Sequence, residues 1–185
     1  MVQTMYRILF VFSFTAGMAL STFAQQAVKP RLSPLAIISA KYKDTYLKIT
    51  YGQPHKRGRE VFGNLVPFNE VWRTGANEAT EITLTREVYL AGNLLQAGTY
   101  SLFTIPGPVK WTIIINQETG LWGSYNYNPK LDVLRFEVAA GDTGNTVYEA
   151  FTIQLDQRNS LADLILLWDK TKIVIPIQFI EPKSK

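Results

Sequence analysis

The sequence predicts an all-β fold: a single antiparallel β-sandwich or jelly-roll-like domain with one long ordered loop. The first observation behind this prediction is a series of about nine or ten short segments in which apolar and polar residues alternate, separated by Gly, Pro and Asn turns. The second is that only one short segment, near the C-terminus, fits helical periodicity. Many short strands in one domain are typical of sandwiches and barrels.

The N-terminus has the features of a secretory signal. A short basic start precedes an apolar run over residues 8–20, and small residues follow it. The apolar run has about 13 residues, fewer than the roughly 20 that a membrane-spanning helix needs. We therefore predict a signal peptide over residues 1–24, a linker over 25–34 and one domain over 35–181. The protein is expected to be exported, periplasmic or secreted, with no transmembrane span after cleavage.

Composition narrows the expected chemistry. The chain contains no cysteine, so an exported form would have no disulfide bonds and would depend on its apolar core for stability. The formal net charge of +4 is too small to indicate a nucleic-acid surface. The expected partner is a small polar ligand or a component of the cell envelope.

The predicted strands begin with a hairpin. Residues 37–42 and 46–51 flank a polar turn at 43–45, and period-two alternation around such a turn favours a β-hairpin. The other predicted strands are residues 71–74, 80–85, 88–90, 98–105, 111–116, 133–139, 147–155 and 172–180. The Pro-Gly-Pro sequence at 106–108 predicts a tight turn between antiparallel neighbours. Three successive isoleucines, 113–115, are apolar on both faces and predict a central strand.

Residues 160–168 (SLADLILLW) fit two interpretations. Ser160 with Asp163 resembles a helix start, and the leucines that follow have helical spacing. Nine residues make a short helix, however, and the segment leads directly into the β-rich residues 172–180. We favour a hairpin strand, while periodicity alone leaves the helix open.

The longest irregular segment, residues 52–71, begins the stretch with the densest polar chemistry. Long ordered loops in compact domains usually have a function. We predict that the 52–79 loop recognises a small polar or anionic ligand, such as a glycan. The predicted ligand-binding residues are His55, Arg57, Arg59, Arg73, Asn77 and Glu78. The arginines would donate charge-assisted hydrogen bonds, the Asn and Glu would orient the ligand, and the imidazole would line the rim.

The same arginines have an alternative role that needs no ligand. They would pair with glutamates of the loop, namely Glu60, Glu70 and Glu78, and hold the loop against the domain. The planar guanidinium group suits either role, because it binds carboxylates of the protein and of a ligand equally well. The sequence does not decide between scaffolding and recognition.

A second suggestive stretch is residues 122–129 (WGSYNYNP), where aromatic residues alternate with small and amide residues. Such a surface can stack on sugar rings while amides supply hydrogen bonds. The favoured alternative places Trp122 in the core, with Tyr125 and Tyr127 on one face. The remaining tryptophans are predicted core residues: Trp72, Trp111 and Trp168.

No catalytic motif is present, so we predict no catalytic residue, no metal and no cofactor. His55 is the only histidine, and no G-x-S-x-G sequence accompanies it. A catalytic zinc site normally takes three protein ligands, and no local signature favours a carboxylate pair for glycoside cleavage. Two alternatives to a binding protein remain: a structural or protein-interaction module of the cell envelope, and a hydrolase that uses His55 or a glutamate.

Several segments together resemble the exported bacterial proteins grouped as domain of unknown function 2911. They are GREVFGNLVPFNEVWRTGANEAT, AGTYSLFTIPG, WTIIIN followed by WGSYNY, and LWDKTKIVIPI. The resemblance spans about residues 35–177 and implies export and a single β-rich domain, but it assigns no reaction. It also implies a shared pattern at Pro54, Gly58, Arg59, Gly63, Trp72, Arg73, Gly75, Asn77 and Glu78.

Overall fold

A computed structural model describes residues 30–181, so the predicted signal peptide, residues 1–24, lies outside the described part. The described residues form eleven β-strands and one short 3-10 helix, Pro129–Leu131. The strands are β1 (Leu35–Tyr42), β2 (Thr45–Gly52), β3 (Thr80–Leu84), β4 (Val88–Leu90), β5 (Asn93–Leu95), β6 (Gly98–Ile105), β7 (Lys110–Asn116), β8 (Asp132–Asp142), β9 (Tyr148–Arg158), β10 (Leu161–Asp169) and β11 (Thr171–Phe179). Within residues 30–181, no helix has the length and apolar character needed to cross a membrane.

All eleven strands belong to one antiparallel sheet that is nearly closed into a barrel. The strand order is β1-β2-β3-β6-β7-β8-β11-β10-β9, and the β4–β5 hairpin attaches to β11. The two free edges are joined in part, since Gln157 Nε2 on β9 donates to the Lys41 carbonyl on β1 over 3.1 Å. Beyond β2, the Lys56 N–H donates to the Glu149 carbonyl on β9 over 2.8 Å. The all-β prediction is confirmed, but one curled sheet takes the place of the two stacked sheets of a sandwich.

The central strand and the C-terminal hairpin follow from their sequence patterns. β7 lies between β6 and β8, and its isoleucines Ile113 and Ile115 join the main core while Ile114 packs with Phe103 on the other face. β10 pairs with β9 and β11 along its length, so the hairpin interpretation of residues 160–168 is confirmed over the helix. Pairing on both sides decides the structure of a short apolar run that periodicity leaves open.

The loop between β2 and β3 contributes to the core instead of lying on the surface. Val61, Val66 and Trp72 from this loop are buried in the main core cluster. The predicted strand 71–74 is reduced to a single bridge, in which Trp72 exchanges two backbone hydrogen bonds with Thr104 (2.7 and 2.9 Å). This bridge fixes the loop against β6.

Five aromatic side chains form a cluster between the loop and the sheet. They are Phe62, Trp72, Trp111, Phe151 and Trp168, and the centroids of the contacting rings lie 4.8–6.1 Å apart. Most of these pairs are edge-on or tilted, the arrangement that the ring quadrupoles favour. The three tryptophans are buried, which confirms their assignment to the core. We call this group the aromatic cluster.

The 52–79 loop returns so close to β2 that position 52 has no room for a side chain. A Cβ at this position would lie 2.0 Å from the carbonyl oxygen of Ala76, and a backbone atom cannot move aside as a flexible side chain can. We expect Gly52→Ala to lower the free energy of unfolding by roughly 3 kcal/mol, the upper part of the range for overpacked sites. Guanidinium denaturation would measure the loss.

Gly144→Ala provides the matched control. Gly144 has a φ of +69°, and nothing lies within 4 Å of the point where its Cβ would stand, so the added methyl group introduces backbone strain alone. This control should lose about 1 kcal/mol. Equal losses in the two variants would contradict the close approach of the loop to β2.

Candidate functional site

A cleft with a volume of about 730 Å³ lies beside the aromatic cluster, within the usual range for small-molecule sites. Trp72 and Trp168 of the cluster line it. The other lining residues that matter for its chemistry are Arg31, Arg59, Glu70, Arg73, Asn77, Trp122, Ser124 and Tyr125. The cleft therefore combines arginines with aromatic rings and small polar groups.

Three segments outside the strands line the cleft together with Trp168 of β10: residues 31–33, the 52–79 loop and residues 121–128. We call residues 121–128 the aromatic arm. The arm is bonded to the loop through its backbone. The Ala79 N–H donates to the Leu121 carbonyl over 2.8 Å, and the Gly123 N–H donates to the Asn77 carbonyl over 2.9 Å. The two polar stretches that the sequence singled out are thus neighbours in one site.

Arg73 is the predicted site residue whose side chain is the least satisfied by partners within the protein. Its guanidinium group has no hydrogen-bond or ion-pair partner among residues 30–181, and its Nε is buried without a partner. Its Nη1 lies 3.5 Å from the point where a Cβ of Gly123 would stand, beside the aromatic arm. A desolvated donor without an acceptor is costly in free energy, and Arg73 Nε is such a donor within the described residues.

The other two predicted arginines bind the protein itself. Arg59 lines the cleft, but its Nε and Nη2 donate to the carbonyls of Lys56 and His55, each over 2.8 Å. Arg57 Nη2 donates to the Leu32 carbonyl over 3.1 Å, and Arg57 is not among the residues that line the cleft. Within residues 30–181, none of the three arginines forms an ion pair with the loop glutamates. Two of them do hold the backbone, through carbonyl oxygens.

Asn77 and Glu78 fasten one wall of the cleft. Asn77 Nδ2 donates to the Ser33 carbonyl over 3.3 Å, while the side chain also lines the cleft. Glu78 accepts from Arg31 Nη1 at both carboxylate oxygens, over 2.8 and 2.9 Å. Arg31 lies in the segment predicted as a linker, 47 residues from its partner, and local sequence gives no signal for such a pair. This segment is therefore part of the site.

His55 lies outside the cleft lining. It forms an isolated β-bridge with Ala150 on β9, and its Nδ1 is buried without a hydrogen-bond partner in the described structure. Its carbonyl accepts from Arg59. Residues 30–181 contain no group of three or more His, Cys, Asp or Glu side chains placed to hold a metal ion.

The aromatic arm exposes Trp122, which the favoured sequence interpretation placed in the core, together with Tyr125. Trp122 is 60% exposed and Tyr125 is 84% exposed, and both line the cleft. The assignment of Trp122 to the core is therefore wrong. The arm folds through turns, with Gly123 at a φ of +73°, so the period-two alternation of a strand does not apply to it.

Tyr127 anchors the arm instead. Its ring packs 5.1 Å from Phe103, and its hydroxyl donates to Asp132 Oδ2 over 2.6 Å. Burial, with the hydrogen bond to the Asp132 carboxylate, raises the pKa of Tyr127 to about 12. Asn116 Nδ2 also bonds the Asn128 carbonyl over 2.9 Å and Asp132 over 2.8 Å. The exposed rings thus stand on a fixed support.

The Arg31–Glu78 pair predicts a small pH dependence of stability. The Glu78 backbone N–H and Arg31 hold the pKa of the Glu78 carboxyl below its usual 4.5. Because the folded-state value is depressed, the stabilisation is complete above pH 4.5 and is lost as the pH falls through the folded-state pKa. Because the Glu78 side chain is 39% exposed, solvent screening limits the stabilisation by this ion pair to about 0.5 kcal/mol.

Thermal melting of the wild type and Glu78→Gln between pH 7 and pH 3 would check this expectation. The wild type should melt higher at neutral pH, and the difference should vanish in acid. Glu137→Gln is the control, since Glu137 forms a more exposed pair with Lys110. A difference that persists in acid, or a control that behaves like Glu78→Gln, would refute the role of the pair.

Comparison with known proteins identifies a family but no individual relative. Neither the curated proteins nor the solved structures contain a match to the chain. Residues 33–177 match the family described as protein of unknown function DUF2911, over well more than half of the chain and including the cleft residues from Ser33 to Tyr125. The chain belongs to the DUF2911 family, the family that its sequence segments resemble.

Proposed function

We propose that this protein is an exported, non-enzymatic binding protein that recognises a small anionic ligand in the cleft between the 52–79 loop and the aromatic arm. The observation that carries the proposal is the guanidinium group of Arg73, which lines the cleft without a partner among residues 30–181. Arg73 is the principal donor to the ligand. The features that support export lie in the predicted signal over residues 1–24.

The charge of the cleft supports an anionic ligand. Arg31, Arg59 and Arg73 line it against a single acidic residue, Glu70. Glu78 offsets the charge of Arg31, and the Arg59 guanidinium donates to carbonyls, which are uncharged acceptors. The lining therefore keeps an excess of positive charge, which attracts anions and strengthens hydrogen bonds to them.

The desolvation of Arg73 supports binding as the role of this residue. A partly buried cation without a counterion lowers the stability of the folded state. A protein that retains such a group tolerates this loss, and an anion that pairs with it recovers the lost free energy on binding. Binding sites commonly reduce stability in this way.

The arrangement supports binding over hydrolysis. Hydrolysis by paired carboxylates or by a nucleophile and its base needs two such groups at one place. Among residues 30–181, Glu70 is the one carboxylate that lines the cleft, and His55 lies outside the lining. The hydrolase alternative therefore has no pair of groups in the cleft to support it.

Arg73→Ala tests this function. Isothermal titration calorimetry with phosphate, sulfate, citrate and glucuronate at low ionic strength would measure affinity for the wild type and the variant. We expect Arg73→Ala to weaken binding of the best anion by roughly 10- to 150-fold, the effect of a charge-assisted hydrogen bond worth about 1.5–3 kcal/mol. Arg73→Lys should recover part of the affinity, since it keeps the charge and loses the planar fork.

Stability separates this role from scaffolding. Removing an unpaired cation should leave the melting temperature of Arg73→Ala unchanged or higher, whereas removing a scaffold contact lowers it. Arg86→Ala is the control, because Arg86 forms an exposed ion pair with Asp44 away from the cleft. A lowered melting temperature with unchanged anion affinity would assign Arg73 to scaffolding and overturn the proposal.

A further inference from the structure

We propose that the ligand of this cleft is an acidic sugar, a uronic acid or a short oligosaccharide that contains one. The inference rests on the binding function proposed above and names the class of ligand. It starts from two large rings, Trp122 and Tyr125, that line the cleft and remain mostly exposed. Rings of this kind stack against the C–H faces of sugars while polar groups nearby fix the orientation.

The rings are held ready for a ligand. The arm that carries them is bonded to the loop at Leu121 and Gly123, and Tyr127 and Asn128 fasten its far end to the sheet. Exposed aromatic residues on a fixed support gain little from the fold and bind at a low cost in conformational entropy. Their exposure at one cleft is therefore a feature of a binding surface.

Gly123 brings the ring and the charge together. A Cβ on Gly123 would lie 2.9 Å from the ring of Tyr125 and 3.5 Å from Arg73 Nη1. The donor for a carboxylate and the surface for a sugar ring thus both lie next to one residue that has no side chain. A ligand that uses both carries its negative charge directly beside a ring, as a uronic acid does.

The polar lining favours a hydroxyl-rich ligand over a flat aromatic anion. Ser33, Asn77 and Ser124 line the cleft. Asn77 donates through Nδ2 to the Ser33 carbonyl, and its Oδ1 has no partner among residues 30–181. Oδ1 can accept from a sugar hydroxyl, and the serine at 124 can donate or accept. A neutral sugar would leave Arg73 unpaired, and a bare inorganic anion would leave the rings uncovered.

The test uses ligands that differ in one feature. Calorimetry would compare a panel of uronic-acid disaccharides with their methyl esters, which keep the sugar rings and remove the charge. We expect the free acids to bind at least 10-fold more tightly than the esters in the wild type. Trp122→Ala should weaken the free acids about 10-fold, because it removes one of the two rings that stack on the sugar, while leaving citrate unaffected.

A glycine pair separates a local change beside Tyr125 and Arg73 from general disturbance of the arm. Gly123→Ala places a methyl group against the Tyr125 ring, whereas Gly120→Ala meets nothing within 4 Å at a similar φ of +70°. Both changes carry the same backbone strain. We expect at least fivefold weaker binding of the free acids by Gly123→Ala and no change for Gly120→Ala.

The outcomes are distinguishable. If citrate or phosphate binds through Arg73 as tightly as the uronides and Trp122→Ala changes nothing, the acidic-sugar inference is wrong and the anion-binding function stands. If ADP binds more tightly than every uronide with the same dependence on Trp122, the ligand is an aromatic anion and the sugar is refuted. If no probe shows Arg73-dependent binding, both proposals fail.

Discussion

The burial of Trp72 in the aromatic cluster is the interaction on which the rest of the site depends. Its indole packs on Trp168 and Phe151, and its backbone forms a bridge with Thr104 on β6. A long loop would otherwise lose much entropy on ordering, and burial of large rings offsets that loss. Because Arg73 is the next residue, the anchored tryptophan fixes the backbone from which the unpaired guanidinium group extends.

Three arginines of one loop have different roles because of their partners, not because of their chemistry. Arg57 and Arg59 donate to backbone carbonyls and order the loop and the segment before β1, while Arg73 has no such acceptor within residues 30–181. An uncharged carbonyl satisfies the hydrogen-bonding groups of arginine without cancelling its charge. Arg59, which lines the cleft, therefore still contributes to its positive potential.

The sequence predicted most of the strands, which depend on neighbouring residues. It did not predict the closure of the sheet or the position of Arg31, which depend on residues far apart in the chain. Alternation located most of the strands, because a half-buried strand imposes its period directly. The partial closure of the sheet depends on contacts of β9 with β1 and with the residues that follow β2, which are far from β9 in the chain, and no local pattern records them. The charges of the 52–79 loop predict a candidate site there, but Arg31, which lines the same cleft, lies in the segment predicted as a linker.

The wrong assignment of Trp122 to the core explains why the sequence did not predict that the aromatic arm and the 52–79 loop line one cleft. Alternation predicts burial only where the backbone is extended, and the positive φ of Gly123 turns the arm so that Trp122 and Tyr125 both remain exposed at the cleft. Neither the charged loop nor the arm is specific alone, since arginines bind many anions and exposed rings bind many apolar faces. They are bonded together through Asn77 and Gly123, so under the proposed function a ligand that carries both a charge and a ring would gain from both, and selectivity would come from this combination.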